Sequence, residues 1–178
     1  MKTLFVAFRC FFVLTLLTGA IYPVLVTWLG QAFFASKANG SLVYSEEGKL
    51  LGSELIAQGF ESQEYFWPRP SAIGYNPLPS GGTNLGPTSK ALQEKWEERR
   101  KAGLSGDMLA ASASGLDPHI SPASAAAQVG RVAKARGKTE EEISKILASA
   151  VERPQLGFLG QSRVNVVKLN LMLDKVVR

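Results

Sequence analysis

The feature that most constrains this chain is an uncharged, largely apolar run from Cys10 to Ser36. A helix needs about 20 such residues to cross a bilayer, whereas the apolar core of a secretion signal has only about 7–15. The run therefore predicts a transmembrane helix that stays with the chain. Pro23 lies mid-run and predicts a kink. Thr15, Thr18 and Gly19 are of the small or hydroxylated type that packs one transmembrane helix against another.

The charges that flank the run give a weak signal for its orientation. Lys2 and Arg9 precede it closely, whereas Lys37 and Lys49 follow it. A short basic N-terminus favours the cytoplasm, and a long following domain crosses the membrane largely regardless of its own charge. We therefore expect a single-pass protein of the inner (plasma) membrane, with a cytoplasmic N-terminus and residues 37–178 outside the cytoplasm.

The composition excludes several classes of function. The chain has one cysteine, Cys10, and one histidine, His119. It therefore has no internal disulfide and no metal site built from cysteine or histidine clusters. Its 20 basic and 15 acidic residues are interleaved rather than gathered in a basic patch, which argues against a nucleic-acid partner.

The pattern after the span predicts one mixed α/β domain, so that the chain as a whole is an α+β protein with residues 1–36 as its membrane segment and 37–178 as its domain. A hairpin is expected over 39–52. Five prolines and four glycines between residues 65 and 88 exclude a regular helix there, and the aromatic residues predict an ordered loop. The capping signals predict three helices: residues 89–102 capped by Thr88, residues 122–136 capped by Ser121, and residues 140–152 capped by Thr139. The last segment is expected to form a short strand or turn that leads into a terminal helix.

The glycine-rich stretch from Gly81 to Thr88 invites comparison with a phosphate-binding loop. That motif requires a lysine after its last glycine, where this chain has Pro87. Proline supplies neither the cation nor a backbone donor. The stretch is therefore interpreted as a structural turn.

Two further residues leave alternatives open. Arg69 lies between Pro68 and Pro70, which either presents its guanidinium to a partner or pairs it with a carboxylate of the same domain. His119 lies near Asp117 and several serines, and a histidine bonded within its own turn is favoured over a catalytic triad, whose members converge from different elements. The alternative function that remains is a membrane-anchored extracytoplasmic hydrolase that uses His119.

Behind the span the chain carries six peptides in order: GSELIAQGF, YFWPRPSA, SGGTNLGPT, SGLDPHISPASA, RVAKARG and GFLGQSRVNVVKLNLMLD. In sequence and order they resemble the C subunit of the Kdp potassium-transporting ATPase. The resemblance implies a non-catalytic subunit of a high-affinity potassium uptake complex. Its expected partners are a channel-like A subunit, an ATP-hydrolysing B subunit and a small F subunit. The implied role is to stabilise the assembly and, as a catalytic chaperone, to raise the ATP affinity of the B subunit.

The resemblance also suggests which residues matter. The resemblance implies Gln58 as the residue that a nucleotide role would use, although an extracytoplasmic domain cannot reach cytosolic ATP. No independent ATP site is therefore expected. The residues expected at partner contacts are Trp67, Arg69, Ser71, Tyr75, Asn84, His119, Arg163 and Asn165.

Overall fold

The computed structural model describes residues 1–176 and divides into two compact units, Met1–Leu51 and the part from Gly52 onward. The first unit contains the long N-terminal helix, and the second contains a mixture of helices and short strands. The predicted fold class, one N-terminal apolar helix followed by a mixed α/β region, is confirmed. The boundary expected after residue 36 marks the edge of the membrane segment and stays a prediction.

The N-terminal helix extends from Lys2 to Ala38, with a mean hydropathy of 2.2, and none of its residues is buried. It consists of α1 (Lys2–Leu16), a wide π turn (Leu17–Ile21) and α2 (Tyr22–Ala38). Its 37 residues span about 55 Å at the standard helical rise, more than the roughly 30 Å of a hydrocarbon core. By length and composition the helix is able to cross a membrane.

The irregularity predicted at Pro23 appears as a departure from α-helical geometry just before this residue. The π turn ends two residues before Pro23, whose ring crowds the carbonyl one turn earlier, at Gly19. Thr18 Oγ1 donates a hydrogen bond to the Leu14 carbonyl at 2.8 Å, so its hydroxyl is satisfied within the helix. A second departure occurs at Phe34 (φ −137°, ψ 38°).

The predicted hairpin follows the N-terminal helix and is formed by β1 (Leu42–Tyr44) and β2 (Leu50–Ser53). Its turn is closed by a 2.8 Å hydrogen bond from Ser45 N–H to the Lys49 carbonyl. The hairpin prediction is confirmed.

The second unit contains a three-stranded antiparallel sheet. Its strands are β3 (His119–Ile120), β4 (Val151–Glu152) and β5 (Arg163–Asn165), in the order β3-β5-β4. β5 lies in the centre, where Val164 is opposite both Ile120 and Val151. The helices of this unit are α3 (Lys90–Lys101), α4 (Pro122–Ala126), α5 (Val129–Arg136), α6 (Glu140–Ala150) and α7 (Val166–Val176). Both α4 and α7 contact β5, and α6 packs against α4, α5 and α7. The largest fully buried side chains are Phe66, Ile120, Ile143, Leu169 and Leu173.

The helix starts are largely as predicted. Ser121 Oγ accepts the Ser124 N–H at 3.1 Å, and Thr139 forms a capping box with Glu142. The cap of α3 is Ser89 rather than Thr88.

Two predicted helices are shorter than expected. The helix predicted over 122–136 is broken at 127–128, where the Gln128 side chain turns inward to bond the backbone of Trp67. The helix predicted to 152 ends at Ala150, because Val151 and Glu152 pair as a strand with β5. In both places a tertiary contact outweighs helix propensity.

Candidate functional site

The proline-rich segment begins as an extended stretch held by two amide side chains. Asn170 Oδ1 accepts the Phe66 N–H at 2.9 Å, and Asn170 Nδ2 donates to the Phe66 carbonyl at 3.0 Å. Gln128 does the same for Trp67, with distances of 2.8 Å and 3.1 Å. Both amides are buried. Since each amide satisfies a donor and an acceptor, it replaces the strand partner that this backbone lacks.

Arg131 of α5 secures the same stretch from one side. Its two terminal nitrogens donate to the carbonyls of Gln63 (2.7 Å) and Tyr65 (3.0 Å) and to Gln128 Oε1 (2.7 Å). The guanidinium carbon lies 3.8 Å from the centre of the Trp67 ring, a cation–π contact. Burial lowers the pKa of Arg131 below its ordinary value. The guanidinium nevertheless remains charged at neutral pH, because arginine begins from so high a pKa.

Arg136, about one and a half turns later on α5, holds the residues that immediately precede Phe66. Its Nε donates to the Glu64 carbonyl at 2.7 Å, and its Nη2 lies 2.8 Å from Asp174 Oδ1 on α7. The Tyr65 hydroxyl donates to the other oxygen of Asp174 at 3.1 Å. Burial and the nearby Asp174 carboxylate raise the pKa of Tyr65. Neither arginine was among the residues predicted from the sequence.

Arg69 pairs with groups of its own domain. Its Nη2 donates to the Ala111 carbonyl at 3.2 Å, and its Nη1 lies 3.6 Å from Asp117 Oδ2. Its Nε is buried and has no hydrogen-bond partner among the described residues. Of the two interpretations left open for Arg69, the structure shows the intramolecular pairing. Whether it also meets a partner stays a prediction.

Ser71 and Tyr75 shape the loop that follows. Ser71 Oγ accepts the N–H groups of Ile73 (3.2 Å) and Tyr75 (3.0 Å), and the Tyr75 hydroxyl donates to the Arg69 carbonyl at 3.0 Å. Burial raises the pKa of Tyr75. Ser71 and Tyr75 are half-buried and use these polar groups within the loop.

The glycine-rich stretch packs against the segment that precedes β3. Gly81 N–H donates to the Ser114 carbonyl at 3.1 Å. A Cβ at Gly82 would lie 2.7 Å from the Ala113 carbonyl oxygen, so only glycine permits this approach. This close packing supports the structural-turn interpretation, which stays a prediction. Asn84 is exposed and has a left-handed backbone (φ +52°).

His119 is bonded within its own turn, as predicted. Its N–H donates to Asp117 Oδ1 at 3.0 Å, and its Nδ1 lies 3.4 Å from the same oxygen. The hydrogen bond from the His119 side chain, together with the Arg69 guanidinium, holds the pKa of Asp117 below its ordinary value. Ser112 Oγ accepts the Asp117 N–H, and Ser121 Oγ donates to Asp107, so both of these nearby hydroxyls are engaged elsewhere.

Asp107 is a second carboxylate that sequence analysis missed. Its oxygens accept the Ser121 N–H at 2.8 Å and the Ser121 hydroxyl at 2.7 Å, and they also accept the Ser124 hydroxyl. Burial alone would raise the pKa of Asp107, but the hydrogen bonds from Ser124 and Ser121 outweigh it and lower the pKa. Asp107 thus fixes the start of α4.

Arg163 and Asn165 lie on β5 and differ in exposure. Arg163 Nε donates to Glu152 Oε2 at 3.0 Å, across the sheet, and its side chain is half-exposed. Asn165 is buried, and its Nδ2 donates to the Glu54 carbonyl at 2.7 Å. Lys168 lies 3.0 Å from the Glu54 carboxylate and 3.4 Å from that of Glu152. The hydrogen bond to Glu54 is the main cause of a raised pKa at Lys168.

Gln58 lies against Gly52, where a Cβ would collide with the Gln58 side-chain amide. It does not line the cleft of about 220 Å³ beside Trp67, whose polar walls include Gln128 and Arg131. Those two side chains already use their polar groups to hold the 63–67 backbone. A nucleotide contact at Gln58 stays a prediction.

The structure thus groups the predicted residues unevenly. One loop contains Trp67, Arg69, Ser71 and Tyr75. Arg69 pairs with Asp117, which in turn bonds His119. His119 is opposite Asn165 in the sheet. Arg163 lies two residues from Asn165 on the same strand. Within residues 1–176, no group of three or more His, Cys, Asp and Glu side chains is arranged to hold a metal. The residues that hold this network together and that sequence analysis missed are Asp107, Gln128, Arg131, Arg136 and Asn170.

Comparison with known proteins gives one consistent match. The model of the KdpC family, described as "K+-transporting ATPase, c chain", matches residues 4–175. The chain belongs to the KdpC family. The Potassium-transporting ATPase KdpC subunit of Geotalea uraniireducens (strain Rf4) is 48% identical over 189 residues and is covered completely, as is this chain.

Two further KdpC relatives match over 90% or more of both chains. The KdpC subunit of Geobacter sulfurreducens (strain ATCC 51573 / DSM 12127 / PCA) is 47% identical over 188 residues, with 99% of this chain and 100% of the relative covered. That of Polaromonas naphthalenivorans (strain CJ2) is 48% identical over 177 residues, with 92% and 90% covered. The resemblance that the six peptides indicated is thereby confirmed, and this chain is a KdpC subunit of a potassium-transporting ATPase.

Proposed function

We propose that this chain is a non-catalytic subunit that stabilises a high-affinity, ATP-driven potassium uptake complex and raises the ATP affinity of its ATP-hydrolysing B subunit. The observation that carries the proposal is the KdpC family match, which extends over residues 4–175. The proposed partners are the channel-like A subunit, the B subunit and the small F subunit. The membrane-spanning capacity of Lys2–Ala38 supports an anchored role in such an assembly.

The proposed orientation places the N-terminus in the cytoplasm and the mixed domain outside. With that topology the domain acts on ATP use indirectly, through contacts that favour one state of the pump. A coupling of this kind is typically about 1–3 kcal/mol, which changes an apparent affinity by a factor of roughly 5 to 150. ATP is then a ligand of the complex, bound by the B subunit.

The loop over residues 65–88 is the proposed partner surface, or the support for one. Its first residues are fixed to the domain by Asn170 and Gln128, which gives a rigid base. Its later part is exposed at Leu78 and Asn84. Large aromatic and arginine side chains contribute strongly to interfaces when they become desolvated, so Trp67 and Arg69 remain the residues proposed to contribute most.

The experiment that tests the function measures ATP hydrolysis by the complex prepared without this subunit and then supplemented with it. The expected result is a fall in the apparent KM for ATP on supplementation, by a factor within the range given above. An unchanged KM together with unchanged complex stability would contradict the proposal.

Calorimetry on the full-length chain in detergent tests whether the effect is indirect. We expect no ATP binding, and we expect Gln58→Ala and its control Gln93→Ala, another glutamine replacement on an exposed helix position, to behave alike. Micromolar binding that only Gln58→Ala abolishes would instead indicate direct contact with the nucleotide.

His119→Ala separates the proposed role from the hydrolase alternative. Because the imidazole is bonded within its own turn, we expect potassium-limited growth to stay near the wild-type level. Loss of growth with normal recovery of the complex would show that His119 has a direct part in function.

A further inference from the structure

A short turn after β4 carries three exposed apolar side chains. Leu156 is 83% exposed, Phe158 is 74% exposed and Leu159 is 50% exposed. We name residues 154–160 the apolar tip. Single exposed apolar residues are ordinary on a protein surface, but three in one turn form a contiguous patch of the kind that marks an interaction site.

The apolar tip has a defined backbone shape. Gln155 and Leu159 exchange two hydrogen bonds, N–H to carbonyl, of 3.0 Å and 2.9 Å, and Gly157 N–H donates to the Pro154 carbonyl at 3.1 Å. Leu156 has a φ of +54°, the left-handed region that a leucine rarely adopts. The turn therefore holds its most exposed apolar side chain in a strained backbone conformation. Such strain is characteristic of functional sites.

A basic hollow lies beside the apolar tip. It has a volume of about 320 Å³, and its walls include Arg153, Gln155, Gln161 and Arg163. Arg163 is paired with Glu152. Arg153 is exposed and forms no ion pair with any residue that the structure describes. The hollow thus offers one uncompensated guanidinium next to an apolar protrusion.

We propose that the apolar tip and this hollow dock onto another subunit of the same ATPase complex, at a surface that has an apolar socket with a carboxylate at its rim. The proposal rests on the proposed function, since it requires that the chain works in a complex. A defined apolar protrusion fits a socket, and one unpaired arginine in a hollow fits one carboxylate, in the paired geometry that arginine favours. An anionic lipid surface is recognised instead by clusters of about 4–8 basic residues and requires no fixed turn shape.

Site-specific photo-crosslinking in intact membranes identifies the occupant. A photoreactive phenylalanine analogue replaces Phe158 in the full-length chain, expressed with its complex, and the adduct is identified by mass spectrometry. The expected result is an adduct with a peptide of another subunit of the complex. The same analogue at Leu55, which is 61% exposed and of the same apolar type, serves as the matched position. Adducts with lipid alone, no adduct, or an equal yield of the same adduct from Leu55 would overturn the proposal.

Leu156→Gly separates docking from folding. Glycine accepts a φ of +54° without strain, so we expect the thermal midpoint of this variant to stay level or rise. Recovery of the other subunits with the tagged chain is expected to fall by at least about tenfold, as for an interface residue that contributes strongly. Wild-type recovery by the Leu156→Gly variant would overturn the proposal.

Charge reversal tests the hollow. Arg153→Glu is expected to reduce subunit recovery as Leu156→Gly does, whereas Lys134→Glu, which reverses an exposed cation on α5, is expected to leave it unchanged. Equal effects of the two reversals would contradict the proposed carboxylate contact. If the wild-type chain itself recovers no other subunit, the proposed function fails. If the wild-type chain recovers the other subunits and the variants recover them equally well, only the docking inference fails.

Discussion

The side-chain amide of Asn170 makes both a donated and an accepted hydrogen bond with the backbone of Phe66, 104 residues earlier in the chain. The Phe66 ring is fully buried in the core. The Asn170 amide, the Phe66 backbone and the buried Phe66 ring together fix the start of the proline-rich loop relative to α7. Because the amide has a donor and an acceptor in one plane, no apolar residue can replace it without leaving two buried backbone groups unpaired.

Asn170→Ala is expected to destabilise the domain. Each backbone group left unsatisfied in the interior costs about 1–3 kcal/mol, so losing both partners costs about 2–6 kcal/mol in the free energy of unfolding. Denaturant unfolding of the full chain in detergent measures it. Gln93→Ala, an amide removed from the exposed face of α3, is the control and is expected to change stability by less than about 0.5 kcal/mol.

Arg131→Lys is expected to lower stability although it keeps the charge. The guanidinium reaches three acceptors and stacks on Trp67 at once, which a single ammonium cannot reproduce. We expect a loss of about 1.5–3 kcal/mol, the contribution of one hydrogen bond to a charged group. Arg100→Lys, whose guanidinium is exposed and pairs with Glu97, provides the comparison. Equal effects of both changes would show that the fixed geometry at Arg131 contributes nothing.

Asp107 makes stability depend on pH in the acid range. Its pKa is lower in the folded state than in the unfolded chain, because Ser121 and Ser124 hydrogen-bond the charged form. The stabilisation is therefore present above the unfolded value, about 3.9, and is lost as the pH falls through the folded value. The stability difference between wild type and Asp107→Asn should be largest near neutral pH and shrink below about pH 4. Melting curves at several pH values measure it, with the exposed Glu98→Gln as control; a difference that grows in acid would contradict the assignment.

A cysteine at Lys90 tests the orientation. The Lys90 side chain is 90% exposed at the start of α3. In a chain with Cys10→Ser, we expect Lys90→Cys to react with a membrane-impermeant thiol reagent added to cells whose inner membrane is intact. Lys2→Cys, on the other side of the span, is expected to react only after that membrane is permeabilised. The reverse pattern would place the mixed domain in the cytoplasm and allow direct contact with ATP-binding domains.

The local signals of the sequence were sufficient for much of the fold. The capping box at Thr139, the cap at Ser121 and the hairpin turn near Gly48 depend on neighbouring residues, and each appears as predicted. The places where prediction failed depend on residues far apart in the chain. Gln128 interrupts a helix because its amide bonds Trp67, and Val151 leaves α6 because Val164 offers it a strand partner.

The candidate site was predictable in composition but not in architecture. Arg69 and His119 could be proposed from the sequence, because Arg69 lies between two prolines and His119 is the only histidine of the chain. Arg131 and Asn170 did not, because a basic residue on a helix and an asparagine in an apolar stretch have many ordinary roles. One signal was present: a buried amide must have partners, so an asparagine within the apolar run of α7 indicated a polar contact inside the core.

The wide turn at Leu17–Ile21 has a consequence for how the spanning helix meets its surroundings. Successive residues of an α-helix are about 100° apart around the axis, and a turn that accommodates one additional residue shifts everything beyond it by that angle. Side chains of α1 and α2 that a uniform helix would align in one stripe therefore point in different directions. The helix can meet one neighbour along its first half and another along its second. Deleting a single residue from the turn would bring the two directions back into line and leave one stripe for both.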